Sequence, residues 1–212
     1  MIDLYAITDD PAPPLPDVAE LWSVASHGLA VVCAPAEQAP RELTPEVLWR
    51  HEEVVEALME DRDLLPVRFG SRVEDETAAA RALGERHREF SSALDRVRGA
   101  VELSLRVIGE PPDDLDAESG ALTGADYLQV KARATAAHET ALRTVHRPLA
   151  REARESKLLP TREPREVLRA AYLVDRESVD AFVGHVTRLQ DANPHARLLC
   201  TGPWPPYSFI TS

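Results

Sequence analysis

Histidines are the residues of this chain best suited to acid–base catalysis or metal binding. His51 and His87 each lie among apolar residues at helical spacing, where a hydrogen-bonded histidine at the edge of a core is more common than a ligand or a general base. A metal site needs several converging ligands. His51 and Glu52 have no second histidine at the spacing of a zinc-protease helix, and His138 and His146 are two turns apart. The sequence therefore predicts no metal site.

The two cysteines and nine glycines form no catalytic motif either. Cys33 and Cys200 each lie in an apolar, strand-like run without a CxxC neighbour, which predicts buried thiols in a reducing compartment. The glycines form no GxGxxG, no phosphate-binding loop and no GxSxG elbow. We therefore predict no catalytic residue and no cofactor, and a protein that is not an enzyme.

The charge of the chain limits its partners. With 24 basic and 36 acidic residues its formal net charge is -12, so it has no general attraction to nucleic acid or anionic lipid. The start, MIDLYAITDD, does not resemble a signal peptide, and no segment reaches the length of a membrane span. The sequence predicts a cytoplasmic protein that binds neither nucleic acid nor a membrane.

The stretch LLPVRFG, residues 64–70, holds a cation inside an apolar run. Alternate side chains of a strand face the core, and Pro66 cannot donate to a ladder, so we predict a strand at a sheet edge. Arg68 needs a partner. Either a carboxylate such as Glu52 or Glu53 pairs with it internally, or it contacts another molecule.

The elements that position this stretch are predicted from periodicity and capping signals. Thr44 as N-cap and Pro45 at the first turn start a helix that runs to residue 63. A helix over 75–98 stops at Gly99. A short helical stretch over 17–25 precedes a turn at His27 and Gly28. The other strands of this half are 2–7 and 29–34, the latter apolar on both faces and therefore central in its sheet.

The second half is predicted to run strand, helix, strand, strand, helix, strand. Apolar and polar residues alternate over 101–108, so that strand has one solvent-exposed face, which indicates an antiparallel sheet. Pro148 is predicted to kink or break the long helix that runs from Thr123 to about Ser156, and the acidic run 110–120 is predicted as a loop. The remaining elements are strands over 157–162, 167–174 and 196–202 and a helix over 178–191.

This order is the split βαβ, ferredoxin-like arrangement, and the first half shows a partial version of it. The predicted fold class is therefore α+β with two domains, an N-terminal ferredoxin-like domain over 1–99 and a C-terminal α+β domain over 100–212. The second domain ends in an extended proline and aromatic tail, 203–212, whose prolines favour a low-entropy backbone. Such a tail packs either across the seam between the two halves or against a partner.

Five segments resemble the gas vesicle GvpL/GvpF family and together run from residue 2 to residue 209. They are IDLYAIT near the start, HEEVVEALMEDRDLLPVRFGS at 51–71, VELSLRV at 101–107, AAYLVDR at 170–176 and the closing TGPWPPYSF. The LPVRFG block and the closing segment are the specific ones. The short acidic loop over 110–122 departs from the family.

The resemblance implies a non-enzymatic accessory protein of gas vesicle assembly that binds the small hydrophobic shell protein during early vesicle formation. Other gas vesicle accessory proteins stay open as further partners, and the implied location is the cytoplasm and the gas vesicle. The alternative is a nucleic-acid-binding or small-ligand-binding ferredoxin-like protein, with Arg68 as an anion clamp. The candidate partner-binding residues are Pro66, Arg68, Phe69, Trp204, Tyr207 and Phe209.

Overall fold

The computed structural model describes residues 1–9, 15–17, 20–36, 44–109 and 124–210. The predicted loop over 110–120 and the residue predicted to start the long helix, Thr123, lie outside these ranges. The chain forms two compact units, Met1–Val101 with Trp204–Ser212, and Glu102–Pro203. The closing tail is thus grouped with the first unit.

The first unit contains a five-stranded antiparallel sheet. In the strand order β2-β3-β1-β4, β3 and β1 are central, and β5 also pairs with β1. The predicted central strand is confirmed, because every residue of Leu29–Ala34 is buried. The strands are β1 (Ile2–Thr8), β2 (Trp22–Ser26), β3 (Leu29–Pro35), β4 (Leu65–Pro66) and β5 (Arg72–Val73).

The short helix predicted over 17–25 is wrong, because residues 22–26 form strand β2. Trp22–Ser26 pair antiparallel with β3, and the two strands are joined by a tight turn at His27 and Gly28. Both turn residues have positive φ, 55° and 80°, as a type I′ hairpin requires. Pairing along all of β2 outweighs a weak helical pattern only nine residues long.

Helix α1 (Pro45–Met59) begins as predicted, with Thr44 as N-cap and a proline in its first turn, and ends four residues before the predicted end at 63. The buried residues of α1 are His51, Val54, Val55, Leu58 and Met59.

The single helix predicted over 75–98 is two helices, α2 (Glu76–Glu85) and α3 (His87–Val97), and the predicted stop at Gly99 is confirmed by its φ of 68°. Arg86, between them, leaves helical geometry at φ −107° and ψ 17°. Gly84 lies just before the break, and a Cβ there would meet the His27 ring at 3.1 Å, so glycine permits the close approach of α2 to the β2–β3 turn.

The second unit has the predicted order strand, helix, strand, strand, helix, strand. Its sheet has the strand order β7-β8-β6-β9. The strands are β6 (Ala100–Gly109), β7 (Glu155–Leu158), β8 (Glu166–Asp175) and β9 (Ala196–Trp204), and the helices are α4 (Gly124–Ala141), α5 (Arg147–Ala150) and α6 (Val179–Ala192).

Pro148 alters the long helix, as predicted. Between α4 and α5 the chain widens into a π-helical turn, Leu142–His146, in which the Arg147 N–H donates to the Leu142 carbonyl. A proline has no N–H to complete the α-helical ladder and its ring crowds the preceding turn, and a wider turn relieves this. The predicted helix end at 156 is wrong, because α5 stops at Ala150 and β7 has begun by Glu155.

The core of the second unit lies between its sheet and its helices. Tyr172 of β8 and Phe182 of α6 are fully buried there, and the Tyr172 hydroxyl lies 2.9 Å from His146 Nδ1. Val183 of α6 is 41% exposed, and Glu102 of β6, in the strand predicted to have one face in water, is only 7% exposed.

A glutamine of α6 closes part of the outer edge of β9. Gln190 Oε1 accepts the Leu198 N–H at 2.8 Å, and Gln190 Nε2 donates to the Ala196 carbonyl at 2.8 Å. One side-chain amide therefore makes the two hydrogen bonds that a neighbouring strand would make.

Candidate partner-binding site

The stretch LLPVRFG lies at the sheet edge, as predicted, but only Leu65–Pro66 pair as a strand. The ladder with β1 continues through the Val67 N–H, which donates to the Tyr5 carbonyl at 2.7 Å. It resumes where the Leu4 N–H donates to the Ser71 carbonyl at 3.0 Å. Residues 68–70 are thus inserted between two paired segments, and a seven-residue strand is not possible there.

The inserted residues form a tight turn. The Ser71 N–H donates to the Arg68 carbonyl at 3.1 Å, and Gly70, the third turn residue, has φ of 82°. These are features of a type II turn, which needs glycine at that position. Arg68 is exposed, Phe69 is half-buried and Pro66 is buried. The turn therefore presents Arg68 at the surface and anchors Phe69 below it.

His51 of α1 supports this turn from below. Its Nε2 lies 2.8 Å from the Val67 carbonyl, and a carbonyl only accepts, so Nε2 carries the hydrogen. The His51 ring stacks on Tyr5, with centroids 4.8 Å apart, and meets the Phe69 ring edge-on at 5.6 Å. His51 is 3% exposed, which confirms the prediction of a hydrogen-bonded histidine at the edge of the core. It fixes the chain on both sides of Arg68.

The aromatic tail folds against the first unit. Tyr207–Phe209 form a 3₁₀ turn in which the Phe209 N–H donates to the Pro206 carbonyl at 3.0 Å. The Phe209 side chain is fully buried, and Trp204 is 40% exposed. Phe209 therefore anchors the tail, while Trp204 lies partly exposed at its start.

A hydrogen bond joins the tail to α1. The Tyr207 hydroxyl donates to Glu52 Oε1 at 3.2 Å. Burial, and to a lesser extent the nearby Glu56 carboxylate, raise the pKa of the Glu52 carboxyl above its usual range, although the Tyr207 hydrogen bond opposes this. Burial, with the adjacent Glu52 charge, also raises the pKa of Tyr207. Burial of Glu52 therefore costs more when its carboxyl is ionised than when it is protonated, and the Tyr207 hydrogen bond offsets part of that cost.

The Glu52 environment gives a pH dependence of stability. When folding raises the pKa of a carboxyl, the protein loses stability as the pH rises from the pKa of that group in the unfolded state through its pKa in the folded state. Glu52→Gln keeps an oxygen acceptor for Tyr207 and removes this titration. We expect the variant to melt about 1–3 °C above the parent protein at neutral pH, with the difference vanishing below about pH 4.5. Thermal melts from acid to neutral pH measure it.

The control for this prediction is Glu53→Gln, because Glu53 is the exposed neighbour on the same helix. It makes the same change in formal charge without altering the Tyr207 contact. Equal melting shifts in the two variants would show that net charge, and not the environment of Glu52, sets the pH dependence.

Helix α1 brings the two predicted groups of residues onto one element. His51 holds the turn that carries Arg68 and Phe69, and the next residue, Glu52, holds the tail through Tyr207. Sequence reasoning missed Tyr5 as a support and Glu52 as the tail's partner. It also missed Trp49, which is 76% exposed, although its place outside the apolar stripe of α1 is visible in the sequence.

Within the described ranges the structure shows no cluster of three side chains able to hold a metal ion. Over the same ranges, no helix is long and apolar enough to cross a membrane. Cys33 and Cys200 are both free thiols, and burial is the main cause that raises the pKa of each.

Comparison with models of protein families matches residues 3–211 to "Gas vesicle synthesis protein GvpL/GvpF". The chain belongs to the GvpL/GvpF family. The membership predicted from the LPVRFG block and the closing segment is confirmed. Membership gives this GvpL/GvpF chain a role in gas vesicle formation, within a family of assembly proteins not known as enzymes.

Individual relatives agree with this assignment. Gas vesicle protein L of a Streptomyces strain is 31% identical over 179 residues, which cover 75% of this chain and 66% of that relative's length. Gas vesicle protein F2 of Halobacterium salinarum is 24% identical over 192 residues, covering 89% of this chain and 79% of the relative.

Two crystal structures share the fold. GvpF from Anabaena superposes with a TM-score of 0.83 at 20% identity, covering 100% of this chain and 96% of that one. GvpF from Microcystis aeruginosa gives a TM-score of 0.78 at 19% identity, covering 100% and 99%. A mixed helix and sheet fold with two antiparallel sheets is therefore common to this chain and these GvpF proteins.

Proposed function

We propose that this chain is a non-enzymatic accessory protein of gas vesicle assembly that binds the small hydrophobic shell protein early in vesicle formation. A shell that encloses gas needs subunits with a strongly apolar face, and such subunits aggregate unless that face is covered before assembly. The proposal places the chain in the cytoplasm and at the vesicle, with other gas vesicle accessory proteins as additional partners. The observation that carries it is the turn of Arg68 and Phe69, held rigidly at a sheet edge by His51.

We infer that the partner covers this turn and does not add a strand beside it. Strand addition uses a row of backbone N–H and C=O groups along an edge. Strand β4 has only two residues, one of them Pro66, and the following turn interrupts the row. Arg68 at the tip and the half-buried Phe69 ring instead offer the cationic and aromatic side chains that dominate many protein interfaces.

The tail has a divided role in this proposal. Phe209 is fully buried and holds the tail in place, and Tyr207 bonds to Glu52. Trp204, the exposed aromatic residue of the tail, is assigned the direct contact.

We also propose that the chain comprises an N-terminal ferredoxin-like α+β domain over 1–99 and a C-terminal α+β domain over 100–212, whose closing tail, 203–212, follows the second domain in sequence and is grouped with the first unit. Support comes from the sheets, since β2-β3-β1-β4 and β7-β8-β6-β9 place their strands in the same relative order. The two units differ in one connection: helices α4 and α5 lie between β6 and β7, whereas no helix is described between β1 and β2.

The test is retention of the shell protein by full-length variants. Arg68→Glu reverses the exposed charge at the tip of the turn, and we expect it to weaken co-purification of the shell protein about tenfold or more. The measurement is the shell protein recovered with a tagged chain, with melting curves to show that the variant is folded.

The matched control is Arg88→Glu, because Arg88 is an exposed arginine on α3 in the same unit. It makes the same change in charge away from the turn and is expected to retain the shell protein. A folded Arg68→Glu variant that still retains as much shell protein as Arg88→Glu would remove the turn from the interface.

A further inference from the structure

The second unit carries a cleft that the proposed function does not use. Its volume is ≈ 510 Å³, and it opens on the face of the sheet opposite the helices, because Arg106 and Ile108 alternate along β6 with the core residues Leu105 and Val107. The lining residues are Arg106, Ile108, Glu163, Pro164, Arg165, Arg197 and Leu199.

One side of the cleft is formed by a network of ion pairs around Arg106. Arg106 Nε lies 2.8 Å from Glu166 Oε1, and Arg106 Nη2 lies 2.6 Å from Glu163 Oε1. Glu166 is buried and also accepts the Arg162 N–H at 2.6 Å. Burial alone would raise the pKa of Glu166, but the Arg162 N–H and the Arg106 guanidinium together lower it. The charge of Arg106 is therefore engaged within the protein.

The other arginines of the cleft are differently placed. Arg165 precedes β8 and Arg197 lies on β9, and both are exposed. Neither has an ion-pair partner in the part of the chain that the structure describes. Between them the half-buried Ile108 and Leu199 form an apolar floor. Two exposed arginines without an ion-pair partner among the described residues therefore lie beside an apolar floor.

We propose that this cleft binds a short acidic and partly apolar segment of a partner protein. Carboxylates of the segment pair with Arg165 and Arg197, and an apolar side chain covers Ile108 and Leu199. This goes beyond the proposed function, because the cleft lies in the second unit and selects negative charge.

The chemistry of the cleft favours a peptide over other anions. A small anion would satisfy the arginines but leave the apolar floor in water, and a nucleic acid would meet Glu163 and the net negative charge of the chain. The occupant lies on the sheet face and does not extend the sheet, because Gln190 already bonds to the outward backbone groups of Ala196 and Leu198.

The experiment measures fluorescence anisotropy of labelled peptides added to the full-length chain. The probe is a short peptide of alternating glutamate and leucine. A glutamate–alanine peptide has the same charge without large apolar side chains, and a lysine–leucine peptide reverses the charge. We expect the glutamate–leucine peptide to bind, to bind more weakly as salt is raised, and to bind more tightly than the glutamate–alanine peptide.

The decisive variant is Arg165→Glu combined with Arg197→Glu, which we expect to weaken binding of the glutamate–leucine peptide at least about tenfold. Its control combines Arg151→Glu with Arg188→Glu, two exposed arginines of the same unit with the same total change in charge. Melting curves establish that both are folded, and shell-protein retention is measured separately, so failure here is distinct from failure of the Arg68 interface.

Three results would overturn the proposal. The first is equal weakening in the cleft and control variants. The second is equal affinity for the two acidic peptides, or competition by inorganic phosphate, which would indicate a simple anion site. The third is concentration-dependent self-association lost only in the cleft variant, which would make a second copy of the chain the occupant.

Discussion

Replacement of Phe209 by alanine is expected to lower the free energy of unfolding of the first unit by about 3–5 kcal/mol. The Phe209 ring is fully buried, although it lies only three residues before the last residue of the sequence. Alanine would leave a cavity of almost a whole ring where the tail packs. Urea unfolding at neutral pH measures the loss as a lower midpoint at an unchanged slope.

Trp204→Ala is the control for this prediction, because Trp204 belongs to the same tail and is 40% exposed. We expect it to cost no more than about 1 kcal/mol, the range of a partly exposed side chain. If Phe209→Ala unfolds no more easily than Trp204→Ala, the tail is not an integral part of the first unit. Shell-protein binding is expected to show the opposite order at temperatures where both variants are folded, with the larger loss for Trp204→Ala.

Long elements with a strong period were predictable from the sequence. Strand β8 (Glu166–Asp175) and helix α6 (Val179–Ala192) each fall within a residue or two of their predicted bounds. Helix α6 carries apolar residues at helical spacing along its length, and β8 is a ten-residue, mostly apolar run whose residues 170–174 are all buried. The irregular helix near Pro148 was predictable for a different reason, since a missing N–H acts locally whatever the surroundings.

Short elements were not predictable, because their partners decide them. LLPVRFG alternates like a strand, but only the fit to β1 shows that three residues are inserted as a turn between Val67 and Ser71. Residues 22–26 become a strand because β3 pairs with all five of them. The break at Arg86 accompanies the close approach of Gly84 to the His27 ring, which no local pattern encodes.

The two parts of the candidate site, the turn and the tail, were predictable from the sequence, but the contact that joins them through α1 was not. The sequence singles out the turn and the tail by composition, yet Tyr207 and Glu52 are separated by 155 positions. Their contact depends on how the whole first unit folds. The cleft of the second unit is similar, because Arg106, Arg165 and Arg197 come together only when β9 pairs beside β6.

Replacement of His51 by alanine is expected to lower the free energy of unfolding by about 3–5 kcal/mol, through a lost hydrogen bond and a cavity. The ring is 3% exposed, donates to the Val67 carbonyl, and lies between the rings of Tyr5 and Phe69. Its removal frees the chain on both sides of Arg68. Under the proposed function, shell-protein retention therefore falls together with stability, as urea unfolding and co-purification would measure.

Two further variants separate the causes. His51→Phe keeps an aromatic ring between Tyr5 and Phe69 but leaves the Val67 carbonyl without its donor, so we expect a smaller loss of about 1–3 kcal/mol. His87→Ala is the matched control, because His87 is only half-buried and its contact with Ser91 is a long 3.4 Å, and we expect a loss below about 1 kcal/mol. If His51→Ala costs no more than His87→Ala, the turn is held by its own backbone hydrogen bonds, and the rigid presentation of Arg68 does not depend on α1.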